Sequence, residues 1–180
     1  MFKASMSKLI KLLIVVSAGF VNTPIAVAQQ ACYAPVTTDL ELVGETRLRV
    51  YLWRVYDATL YTASGGYPDD TEVALQLNYL RNISAAQLVE TTRDEWQTLG
   101  YELDEQAEQW LAELSEMWPD VREGDCLIAH APNQQGVDFY TARGALGSIS
   151  DAAFAERFLA IWLSEDSSFR RNRDELIGAR

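Results

Sequence analysis

The sequence predicts an α+β fold, with an antiparallel sheet covered on one face by a layer of helices. Strand-type alternation of apolar and polar residues fills most of residues 40–79 and returns over 125–149. Two capped amphipathic helical stretches lie between these blocks, and two more close the chain. Short turns join the strands within each block, so neighbours pair as hairpins. The order strands, two helices, strands, two helices is that of an α+β layer.

The chain opens like a secretory leader. Lys3, Lys8 and Lys11 precede an uncharged, mostly apolar run from Leu12 to Val21, then Pro24 and the small-x-small site Ala26-Val27-Ala28. Cleavage is expected between Ala28 and Gln29. Residues 1–28 would be removed, and residues 29–180 would form a single domain. A retained anchor is the rival reading, but the apolar run is well short of the ~20 residues a bilayer span needs. Gln29, Gln30 and Ala31 before Cys32 do not make a lipobox. With no later segment able to span a membrane, the expected location is periplasmic or secreted.

Residues 29–39 read as an irregular arm. Between Leu40 and Thr62, Leu48, Val50 and Leu52 alternate with Arg47, Arg49 and Tyr51. The alternation breaks near Trp53-Arg54, which predicts a bulge or a strand crossing between environments. The segment 64–70, Ser-Gly-Gly-Tyr-Pro-Asp-Asp, is a turn, and Val73, Leu75, Leu77 and Tyr79 are the apolar side of the next strand.

Ser84-Ala-Ala-Gln87 is a capping box opening a helix with Leu88, Thr92, Trp96 and Leu99 on its stripe. Asp104 caps the next, whose stripe is Ala107, Trp110, Leu111, Leu114, Met117 and Trp118, and Pro119 ends it. Strands follow at 125–131 and 137–142 around a turn at 133–136, with a short one at 146–149. Ser150 or Asp151 caps a helix whose stripe is Phe154, Phe158, Ile161 and Trp162, read as a core face. Ser167-Ser168 opens a last helix that Gly178 closes.

The chain has 26 acidic and 15 basic residues, a net charge of −11. Loss of the leader, with its three lysines, takes this to −14. Such an acidic chain argues against nucleic acid and against anionic membrane surfaces as partners. The two cysteines, Cys32 and Cys126, suggest a disulfide in an oxidising compartment. It would be worth about 4 kcal/mol in the chain-entropy model, less any strain. A free Cys126 buried in a strand is the alternative.

The single histidine, His130, alternates with Cys126 and Ile128 and reads as structural. Without a second histidine or a Cys-x-x-Cys there is no zinc pattern, and no cofactor is implied. Cys126 and His130 would stand roughly 13 Å apart along a strand, too far for a nucleophilic pair. What remains is a set of strand tyrosines and arginines: Tyr51, Tyr56, Tyr61, Tyr79 and Tyr140, with Arg47, Arg49, Arg54 and Arg81. An arginine and a tyrosine at one end of an apolar cavity suit a carboxylate or phenolate ligand. The alternative is that the arginines face solvent and the tyrosines are ordinary sheet residues.

Four segments together resemble the chalcone isomerase-like family, in particular its exported bacterial branch. They are Arg49 to Tyr61, Leu77 to Leu88, Gly124-Asp125 entering a strand, and the C-terminal stretch with Phe154-Ala155, Ile161-Trp-Leu163 and Leu176-Ile-Gly178. The resemblance implies an open-faced β-sandwich with a ligand cleft between a large antiparallel sheet and its helices. Plant members include isomerases that cyclise chalcones and non-catalytic proteins that bind fatty acids. Tyr56 falls where the isomerases carry a threonine and the fatty-acid binders a tyrosine. Ile83 and Glu90 fall at the isomerases' catalytic tyrosine and asparagine, and Arg47 and Arg49 are the candidates for the ligand-holding arginine.

The expected function is binding of a small amphipathic anion, such as a fatty acid, by Arg47, Arg49, Tyr56, Tyr61, Tyr79 and Arg81. The alternatives are an isomerase or lyase acting on a phenolic or enone substrate, and a structural protein whose cleft is filled by its own side chains. N-terminal sequencing of exported protein is expected to begin at or near Gln29; intact Met1 in a membrane fraction would contradict export.

Overall fold

The computed structural model describes residue 32 and residues 34–179; the leader and its cleavage site lie outside them. Among the described residues six strands form one antiparallel sheet whose spatial order is the chain order: β1 (Glu41–Val50), β2 (Trp53–Thr62), β3 (Val73–Tyr79), β4 (Cys126–Ala131), β5 (Val137–Thr141) and β6 (Gly144–Ile149). Helices α1 (Ala85–Thr98) and α2 (Glu105–Met117) come between β3 and β4, and α3 (Ala152–Leu163) and α4 (Arg170–Leu176) follow β6. The α+β architecture read from the element order is the one observed. Among the described residues no helix is long and apolar enough to cross a membrane.

The helices start where their caps dictate. The Ser84 hydroxyl accepts from the Gln87 amide while the Gln87 side chain accepts from the Ser84 amide. Asp104 accepts from the Ala107 amide, and Asp151 from those of Ala153 and Phe154. Each contact satisfies a backbone donor that the first helical turn leaves open. The last helix begins later than expected. Ser167 is not its cap: the Ser167 hydroxyl is turned inward to donate to the Ile161 carbonyl at 2.8 Å, and α4 starts at Arg170.

The region from Leu40 to Thr62 is two strands. Tyr51 and Leu52 are a two-residue turn between β1 and β2, so both leave the alternation and stand almost wholly in solvent. Tyr51, read as a strand residue, takes φ 55° there. A bulge lies beside this turn. Leu48 pairs with Tyr56 and Arg49 with Arg54, which leaves Val55 as the extra residue.

One core lies between sheet and helices, with Leu60, Leu75, Leu77, Leu127, Ala129 and Phe139 meeting Trp96, Trp110, Leu111, Leu114, Phe154 and Phe158. Its aromatic rings meet mostly edge to face, as at Trp96–Phe154 and Phe139–Phe158. A smaller cluster on the opposite face joins Cys32, Ala74, Cys126 and Ile128, with Tyr61 against it. There the N-terminal arm, through Cys32, Val36 and Leu40, covers part of the outer side of β3 and β4. At β1, a Cβ on Gly44 would lie 2.4 Å from the Glu175 carbonyl, so α4 can approach the strand only because this residue has no side chain.

Cys32 and Cys126 are joined, with Cα atoms 5.7 Å apart and 94 residues between them in sequence. Replacing both with serine is expected to lower the unfolding free energy by about 4 kcal/mol, read from denaturant midpoints. A loss under about 1 kcal/mol would show that the arm adds little constraint to the unfolded chain.

Candidate functional site: a cavity between sheet and helices

The helix layer does not close fully on the β1–β2 end of the sheet. A cavity of about 190 Å³ remains there, with apolar walls supplied by Leu48, Leu77, Leu127, Phe158 and Ile161. The bulge shapes it. Because Val55 is the extra residue, Val55 and Tyr56 both reach the cavity from β2, while Leu48 and Val50 do so from β1.

Two phenols enter this wall. Tyr56 and Tyr79 are cross-strand partners whose rings meet edge to face, with centroids 6.1 Å apart. Trp162 Nε1 of α3 donates to the Tyr56 hydroxyl at 2.8 Å. Since the phenol accepts that bond, its own proton is left to donate elsewhere. Burial pushes both phenols well above the usual tyrosine range; at Tyr56 the Trp162 bond opposes this rise and Glu95 adds to it. Glu95 is the charged residue of the lining, and no arginine, lysine or histidine belongs to it. Ser168 donates to Glu95 Oε2 at 2.7 Å.

The residues expected to bind ligand are divided by the structure. Tyr56 and Tyr79 line the cavity. Arg47 and Arg49 do not: they alternate with the inward-facing Leu48 and border a hollow on the outer side of the sheet. Arg47 Nη2 donates there to Asp57 Oδ2 at 2.8 Å. Tyr61 packs with the disulfide cluster on that outer face, and Arg81 is exposed, its guanidinium 5.7 Å from the centre of the Trp53 ring. Ile83 lines the cavity, whereas Glu90 is exposed and pairs with Arg93. His130 lies 2.9 Å from Glu72 Oε1, away from the cavity. Among the described residues no cluster could hold a metal ion.

Sequence reading passed over Glu95 and Thr91, and gave Trp162 only a core role. Leu88, Thr91 and Glu95 form a stripe beside the Leu88–Thr92–Trp96 one, and that second stripe was the available signal. Trp162 was placed on a core face. Its ring does pack on Phe158, but its N–H reaches into the cavity wall.

The model of the chalcone isomerase-like proteins matches residues 26–178, most of the chain. The chain belongs to the chalcone isomerase-like family. A Haemophilus influenzae protein described as uncharacterized is 28% identical over 132 residues, a match covering 71% of this chain and 64% of that protein. The crystal structure of an Arabidopsis thaliana fatty-acid binding protein superposes with a TM-score of 0.61 at 9% identity, covering 78% of this chain and 88% of that one. At that identity the likeness shows a shared fold, here the family's sheet-and-helix layer.

Folding keeps the Tyr56 and Tyr79 phenols neutral to higher pH than in the unfolded chain, where tyrosine ionises near pH ~10. Their contribution to stability is therefore complete below about pH 10 and is lost as pH rises beyond it. Stability measured by urea unfolding is expected to fall above that pH. Each of Tyr56→Phe and Tyr79→Phe should remove up to about 1.4 kcal/mol per pH unit from the slope. An unchanged slope in the double variant would show that neither phenol is held neutral.

Proposed function

We propose that the protein binds a small amphipathic lipid, with medium-chain fatty acids the leading class, and that its apolar part occupies the cavity between sheet and helices. The observation that carries this reading is an apolar cavity with two phenols in its wall. A cavity of about 150 Å³ accepts a benzene ring. One of about 190 Å³ therefore suits a single ring or a short acyl segment, with the remaining chain leaving by the mouth. The fatty-acid binding named for the Arabidopsis protein of the same fold supports the ligand class. The leader read in residues 1–28 supports a periplasmic or secreted site of action.

The head group would be held by hydrogen bonds from Tyr56 and Tyr79 and not by an arginine. Native mass spectrometry of purified protein is expected to show co-purified lipid, and titration with decanoic acid is expected to saturate. Tyr56→Phe should weaken that binding by about 1 kcal/mol, roughly fivefold, because a neutral donor is lost. Arg47→Ala and Arg49→Ala should leave it unchanged. A loss of about 1.5–3 kcal/mol in either arginine variant would place the carboxylate on the outer face instead.

Glu95 and Tyr56 sharing one cavity favours a second reading, an isomerase or lyase in which the carboxylate takes a proton and the phenol donates to an enone oxygen. Chalcone cyclisation by the wild-type protein that is lost in both Glu95→Gln and Tyr56→Phe would establish the enzyme and displace the binding reading.

A further inference from the structure

The β1–β2 hairpin breaks several rules of soluble surfaces within a few residues. Tyr51 is 95% exposed, Leu52 96% and Trp53 66%, and Val50 beside them is also exposed. A two-residue hairpin turn with positive φ at its first central position favours glycine there. Here a tyrosine takes that conformation, and a leucine holds the most exposed position of the turn. Arg49 and Arg54 are direct cross-strand partners, an arrangement that like charges disfavour. Both are exposed, as is Arg81 beside Trp53. Among the described residues none of these three arginines makes an ion pair, whereas Arg47, slightly further along the strand, is paired with Asp57. A chain of net charge −11 thus gathers unpaired positive charge around its most exposed apolar residues.

We propose that this hairpin tip docks on an anionic phospholipid surface, with Tyr51, Leu52 and Trp53 entering the interfacial layer and Arg49, Arg54 and Arg81 meeting lipid phosphates. Aromatic rings with one polar end belong at the boundary between headgroups and acyl chains, and arginine matches phosphate in charge and geometry. A tip of four consecutive residues offers far less area than the ~800 Å² each partner gives to a stable protein interface. Insertion into a bilayer boundary needs only a few side chains. The acidic remainder of the chain is repelled by the same surface, so contact is confined to the tip and the protein is oriented by it. The whole-chain charge argued against such a surface; the distribution of that charge argues for it at this one place. Val50, next to the turn, and Val55, just past it on β2, line the cavity. If the cavity holds lipid as proposed above, docking sets its mouth beside the bilayer. The docking itself does not depend on that occupant.

The described residues contain no free cysteine, so Leu52→Cys can carry an environment-sensitive nitrobenzoxadiazole label with the native disulfide intact. Mixing the labelled protein with phosphatidylcholine vesicles containing phosphatidylglycerol is expected to shift the emission to the blue. Doxyl-labelled lipid should quench it, and salt should weaken the response. Reversing charge with Arg49→Glu and Arg54→Glu should weaken binding by about tenfold or more. In unlabelled protein, Tyr51→Gly with Leu52→Ser installs the residue types that such a turn favours and removes the apolar tip. It should keep the fold and lose most vesicle co-sedimentation. A label that keeps its water-like emission on every vesicle would overturn the proposal, including the case in which the protein binds vesicles through another segment or uses the tip for a protein partner. An equal shift on phosphatidylcholine alone would refute the role given to the arginines.

Discussion

The hydrogen bond from Trp162 to Tyr56 joins sheet and helix layer at the place where the two begin to part. Much of the site depends on it. It holds the Tyr56 ring beside Tyr79, it uses the phenol as an acceptor, and it thereby leaves the phenol's own proton free to donate. Its two ends come from residues 106 apart in sequence, so the geometry of the site is set by how α3 lies across β2. That placement is secured from two sides. On one, Phe154 and Phe158 pack into the main aromatic cluster. On the other, α4 rests on β1, where Thr46 donates to Glu175 and Asn172 donates to Thr46.

Much of the fold was legible in the residues because its signals are local. Helix caps, Pro119, the turn glycines and period-two alternation each act within a few positions, and the meander asks only that each strand pair with its successor. The misreading at Tyr51-Leu52 has a physical cause: a turn composed of apolar residues carries no turn chemistry to recognise.

The site was legible only in part. Tyr56 and Tyr79 lie on strands whose inward face follows from alternation. The arginines failed as ligand candidates for the same reason, since alternation that sends Leu48 inward sends Arg47 and Arg49 outward. Glu95 and Trp162 could not be assigned, because whether a helical residue meets core or cavity depends on how closely the layer seats on the sheet. No periodicity encodes a gap.

The order of the strands has one more consequence. Among the described residues, a meander that does not close leaves two edge strands, β1 and β6, each with backbone groups that could pair with another chain. Both are blunted. β1 is irregular twice along its register, between Leu42 and Gly44 and between Leu48 and Arg49, and it carries Glu41, Glu45, Arg47 and Arg49. β6 is six residues long, contains Gly144 and Gly147, and has its own irregularity opposite Phe139 and Tyr140. A straight incoming strand finds no uninterrupted ladder on either side. The sheet can therefore stay open without serving as a template for end-to-end polymerisation.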